Sequence, residues 1–182
     1  MIQPAPGRAT VVLALTLAFG IAVPKSGCAH SASDAFLSFI SDGSASIQRI
    51  EIHGQWDISL RDLDFVLRLD DDGDGRVTWG EVRNHQAAIE DFAYRYLQVD
   101  GGTGNSCSIK PRRQMIDDHA DGAYVALFFD ITCAHFAKKL ALNYTLFFNI
   151  DPSHRGIFVM HKGADIATAL LSPDNARIDL SP

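Results

Sequence analysis

"LRLDDDGDGRVTWGEV", residues 67–82, sets four carboxylates within five positions (Asp70, Asp71, Asp72 and Asp74) and adds Glu81 seven residues after the last. Like charges at that density repel, so the run requires either full solvation or a cation. The hydrophobic periodicity on both sides of it is helical. Leu63, Val66 and Leu67 fall at i, i+3 and i+4, and Ser59 with Asp62 three residues on is a helix-start signal, predicting a short helix over about 60–69. After the run, Thr78 and Glu81 form a T-x-x-E capping box, and Val82, Ile89, Phe92, Ala93 and Tyr96 trace one face of a second helix to about Leu97. The segment over about 60–97 therefore reads as helix, acidic loop, helix.

Counted from Asp70, the loop fits the spacing D-x-[DN]-x-[DN]-G-x5-E at every defined position. Asp70, Asp72 and Asp74 stand at positions 1, 3 and 5, and Gly75 at 6 permits a sharp bend. Arg76 at 7 contributes only its backbone carbonyl, Thr78 at 9 acts directly or through a water, and Glu81 at 12 offers both oxygens. About seven hard oxygen ligands suit Ca2+ better than the smaller, stricter Mg2+. Val77 at 8 is apolar, as inward packing requires. A solvated acidic turn would leave Gly75, Glu81 and both amphipathic helices as coincidence. The loop resembles the EF-hand family, which implies a calcium site. EF-hands usually pair, but the nearest second candidate, "DDHADGAYVALF" from Asp117, has His119 at position 3 and Phe128 at 12, and reads better as a turn entering a strand. A lone loop in an exported chain suits a structural or permissive site of weak affinity rather than a fast sensor.

Outside this excursion the period is that of strands. "DAFLSFIS" (34–41), the Asp42-Gly43 turn signal and "ASIQRIEIHGQWDIS" (45–59) predict two joined strands, with Ile50, Ile52, Trp56 and Ile58 on one buried face. Further strands are expected over 106–116, 122–133, 138–150 and 156–161, with two weaker ones towards the C-terminus and a turn at "DPSHRG" (151–156). The expected fold class is α+β: a mainly antiparallel, sandwich-like β-domain with an inserted EF-hand helix-loop-helix.

Residues 9–23 are uncharged and mostly apolar, too short for a comfortable span and suited to a signal-peptide core. Gly27 and Ala29 occupy the −3 and −1 positions of a cut before His30, so residues 1–29 are read as a signal peptide and 30–182 as one exported, periplasmic or extracytoplasmic domain; a short uncleaved anchor is the alternative. Lys25 stands where a lipid-anchor motif through Cys28 expects an apolar residue. Removing 1–29 takes away Arg8 and Lys25 and no acid, leaving 14 basic against 22 acidic groups, a net charge of −8. That acidity argues against nucleic acid as a partner. Cys107 and Cys133 remain, an even pair read first as a disulfide, with two buried free thiols as the alternative.

Mature His30 would offer an α-amine and an imidazole on one residue, a copper or nickel ligand if the cut falls there. His119 lies beside Asp117, Asp118 and Asp121, a second possible metal position for which turn chemistry is the plainer explanation. No G-x-S-x-G, H-E-x-x-H or phosphate-cradling glycine loop occurs, so a non-enzymatic chain is expected.

The chain resembles the extracytoplasmic N-terminal region of HupE/UreJ-like membrane proteins, related to hydrogenase and urease accessory permeases. The resemblance rests on Ala29-His30, "GQWDISLRDLDFVLRLDDDGDGRVTWGEV" (54–82), the Cys107 and Cys133 pair, "DHADGAYVALFF" (118–129) and "NYTLFFNIDPSHRG" (143–156). It implies an exported, disulfide-bonded β-domain with a calcium loop beside a membrane partner, either a membrane-embedded metal transporter or a membrane segment beyond residue 182. Three functions are thereby set against one another: a calcium-binding structural or regulatory domain, a copper or nickel acceptor using His30, and a hydrolase with a structural calcium.

Overall fold

The computed structural model describes residues 33–41, 49–101, 107–134 and 140–180; the expected signal peptide, His30 and the Asp42-Gly43 turn lie outside them. Two strands, β1 (Asp34–Ser41) and β2 (Arg49–Ser59), pair antiparallel with Leu37 opposite Trp56. Alternation along β1 buries Ala35, Leu37 and Phe39, and the predicted face of β2 buries Ile52, Trp56 and Ile58 completely.

Three helices follow: α1 (Leu60–Leu67), α2 (Trp79–Asn84) and α3 (Gln86–Tyr94). Then come β3 (Leu97–Asp100), β4 (Ser108–His119), β5 (Gly122–Ala134), β6 (Ala141–Tyr144), β7 (Arg155–Lys162), β8 (Asp165–Leu171) and β9 (Arg177–Asp179). They form a six-stranded sheet in the order β4-β5-β2-β1-β7-β8 and a three-stranded sheet in the order β3-β6-β9. Pairing is antiparallel throughout except between β1 and β7, which run parallel with Leu37 opposite Phe158. The fold is thus mainly β, with two sheets sharing one hydrophobic cluster. Trp56 of the larger sheet meets Tyr144 of the smaller edge-on at 5.6 Å, and Phe39 sits edge-on to Phe158 at 5.1 Å. Gly54 makes room for this packing: a Cβ there would fall 2.3 Å from the ring of Phe129, its partner across the ladder.

Several expectations differ from the structure. The long strand over 138–150 shrinks to β6, because the chain turns after Tyr144: Phe147 takes φ 58° and its carbonyl accepts from the N–H groups of Ile150 and Asp151. The single helix to about Leu97 is two helices broken at His85, and Leu97 opens β3. Ser59 makes no side-chain cap to α1. The rejected second loop is the β4–β5 turn, with His119 opposite Gly122.

The helical excursion is anchored to the β-domain by its apolar face. Leu63, Leu69, Val82, Ile89 and Ala93 are wholly buried in the common cluster, with Val66, Leu67, Val77 and Phe92 packed against it. Burial at about 25 cal/mol per Å2 makes this face, rather than the intrinsic preference of short helices, the reason they form. Gln114 on β4 adds a polar tie, donating to the carbonyl of Gln86 and to Glu90 on α3. The disulfide Cys107–Cys133 closes the open end of the β4–β5 hairpin, and the Cys107 N–H donates to Val99 on β3, linking that hairpin to the smaller sheet. Among the described residues no helix is long and apolar enough to cross a membrane.

Candidate metal centre

The loop is delivered by a deliberate end to α1. Arg68 adopts φ 53° and its N–H returns to the carbonyl of Asp64, a left-handed cap that costs a non-glycine residue about 1 kcal/mol. Asp64 secures that cap: its Oδ1 accepts from the N–H groups of Leu69 (2.7 Å) and Asp70 (3.0 Å). Leu69 is pinned in the core, so Asp70 leaves it in a fixed direction.

From there the chain wraps around its own carboxylates. Asp70 Oδ1 accepts from Gly73 and Asp74, and Oδ2 accepts from Gly75 at 2.8 Å. Asp72 Oδ1 accepts from Asp74, and Asp74 Oδ1 from Arg76. Gly75, with φ 82°, supplies the bend expected at position 6. Asp70, Asp72 and Asp74 each present a carboxylate oxygen within 4.8 Å of the other two. Two oxygens bound to one Ca2+ at about 2.4 Å lie at most about 4.8 Å apart, so this separation is compatible with a shared calcium ion.

The second half of the loop is held by α2. Thr78 is the N-cap, and Glu81 completes a reciprocal capping box: Thr78 N–H and Oγ–H donate to Glu81 Oε2 at 2.7 and 2.8 Å, while Glu81 N–H donates to Thr78 Oγ1. Glu81 Oε1 reaches back across the loop to accept from the Asp71 N–H at 2.8 Å. These bonds, from Thr78 first and Asp71 after it, hold the Glu81 carboxyl below the ordinary glutamate range, so it stays ionised. Of the six predicted ligand residues, three converge, Thr78 and Glu81 close the loop across its mouth, and Arg76 points an exposed side chain to solvent. The donor set is all hard oxygen and fits calcium; Glu81 would have to exchange capping bonds for ligation.

One contact was not legible in the spacing. Asp71, at the non-ligating position 2, accepts from His85 Nε2 at 2.8 Å. His85 is also where α2 gives way to α3, with φ −95° and ψ 9°. The loop is thereby tied to the break between the two helices.

His119 is not grouped with Asp118 and Asp121 as its neighbours in sequence suggested. Its Nε2 lies 3.5 Å from Asp57 on β2 and 3.9 Å from Asp117, while Asp121 accepts from the Tyr124 hydroxyl. Asp57 was missed because only the β2–β5–β4 ladder brings it there. Neither models of known protein families nor curated proteins match the chain.

Proposed function

We propose that this chain is a non-enzymatic, exported calcium-binding domain whose EF-hand-like loop takes one Ca2+ through Asp70, Asp72, Asp74, the Arg76 carbonyl, Thr78 and Glu81. The observation that carries the reading is the convergence of three carboxylates inside a loop closed at its far end by Glu81. When bound, the ion supplies charge neutralisation. This chain's own residues do the rest: Asp64 aims the loop, backbone N–H groups orient the aspartates, and the Thr78–Glu81 box fixes the start of α2. Because Val82 and Leu69 are buried beside these residues, with Val77 packed against the same cluster, binding would be felt by the β-domain, which suits a structural or regulatory role. The resemblance to HupE/UreJ-like proteins supports a place beside a membrane metal transporter.

Calorimetric titration with Ca2+ tests this. One site is expected, with a dissociation constant on the order of 10⁻⁴ to 10⁻³ M as for extracellular modules. Glu81→Gln and Asp70→Asn should each abolish the heat, and Mg2+ should not displace Ca2+. Unchanged binding in both variants would remove the loop from consideration.

A further inference from the structure

We infer that Asp57, Asp117 and His119 form a second, separate cation site on the larger sheet, built for a borderline divalent ion of the zinc class. The three residues come from two strands, β2 and β4, that are not neighbours: β5 lies between them. Each offers one ligand atom, a carboxylate oxygen from each aspartate and a ring nitrogen from His119, within 4.8 Å of the others. His119 Nε2 stands 3.5 Å from Asp57 Oδ2 and 3.9 Å from Asp117 Oδ2. The shorter is a long ion-pair contact at the outer limit of a hydrogen bond, and the longer is beyond one. They approach the edge of a tetrahedron around an ion bonded at about 2.1 Å, which is about 3.4 Å.

The surroundings hold the donors in place. The imidazole belongs to a cluster of three rings, stacked on Tyr124 at 4.1 Å with 22° between planes and tilted against Phe36 at 5.0 Å, with Phe36 and Tyr124 5.8 Å from each other. It is thus fixed with Nε2 turned towards Asp57. Asp57 is 93% buried (7% exposed), and the Gln55 amide nitrogen bridges both of its oxygens, at 2.9 and 3.2 Å, which fixes the plane of the carboxylate. A supporting polar group of that kind is what metal-binding carboxylates usually have. One imidazole with two carboxylates selects against Ca2+, which prefers an all-oxygen shell, and suits Zn2+ with its fourth position open to water.

This site shares no residue with the acidic loop, so the two proposals stand or fall separately. The test is calorimetric titration of Zn2+ into the disulfide-bonded protein in excess Ca2+, with His119→Ala, Asp117→Asn, His85→Ala and Glu81→Gln alongside. Circular dichroism establishes that each variant is folded, and Asp117, half exposed, is the variant least coupled to the core. One zinc site is expected in the parent, in His85→Ala and in Glu81→Gln, and affinity should fall by roughly tenfold or more in His119→Ala and Asp117→Asn. No zinc binding by the parent, or binding that survives both substitutions, through His30 or any other group, overturns the proposal.

Discussion

Glu81 serves two structures at once: it is the third residue of α2, where its carboxylate completes a capping box, and the last position of the acidic loop, where it accepts from Asp71 across the ring. Glutamine also completes a capping box, so Glu81→Gln keeps the helix start while removing the charge a cation needs. His154 is a different kind of residue. It is wholly buried, with Nδ1 2.7 Å from Ser33 Oγ and Nε2 2.7 Å from the Tyr144 hydroxyl. Ser33 donates its own proton to Asp62, so His154 must donate through Nδ1 and accept at Nε2 from Tyr144: a neutral ring with every polar atom satisfied. Burial pushes its pKa from 6.5 down to about 4, against the upward pull of Asp62 and Asp151. The unfolded chain therefore takes up this proton more readily than the folded one. The stabilisation is complete above about pH 6.5 and is lost as pH falls towards 4, at most on the order of 3 kcal/mol. Melting temperatures of the parent and of His154→Gln between pH 7.5 and 4.5 should diverge in slope, with the variant flatter. Parallel profiles would contradict the neutral-ring assignment.

At the scale of elements, what could be read from the chain was what local periodicity and spacing encode. β1, β2 and the strand face of Ile52, Trp56 and Ile58 follow from alternation, α1 from the i, i+3, i+4 spacing of Leu63, Val66 and Leu67, and the start of α2 from the Thr78–Glu81 capping box. What could not be read depends on contacts between distant residues. The break at His85 has no mark in the residue types around it and coincides with a bond to Asp71. The strand expected over 138–150 is apolar enough to be one, yet Phe147 turns the chain so that its ring packs 5.1 Å from His154. Cysteine parity did suggest the disulfide, and the fold shows where it acts: it joins the start of β4 to the end of β5, next to the Cys107–Val99 hydrogen bond. Closing a loop of this length stabilises by roughly 3 kcal/mol in the chain-entropy model. Replacing both cysteines by serine should lower the denaturation free energy by about that amount in urea titrations, with the β4–β5 hairpin losing amide protection first. A midpoint unchanged by the substitution would contradict this.

At the scale of the molecule, strand order lay beyond the sequence. The parallel β1–β7 pairing joins segments far apart in the chain and leaves β4 and β8 at the edges, and nothing in their residue types specifies it. The same long-range order creates the Asp57–Asp117–His119 cluster, which is why neighbours in sequence gave His119 its Asp117 partner and not Asp57. The acidic loop was legible because its donors are consecutive, and its meaning for the whole molecule rests on where it is attached. Leu69 and Val82, next to Asp70 and Glu81, sit in the core that also holds Trp56 and Phe129. An ion in the loop should therefore stabilise the entire β-domain rather than the loop alone. The measurement to make is thermal unfolding of the disulfide-bonded protein in EDTA and in saturating calcium, with Glu81→Gln beside it. At about 100 times the dissociation constant, binding adds roughly 2.7 kcal/mol, a rise in Tm of several degrees. The expected result is one cooperative transition that shifts upward with calcium in the parent and stays in place in Glu81→Gln; no shift in the parent, or an equal shift in both proteins, would contradict a calcium ion that supports this fold.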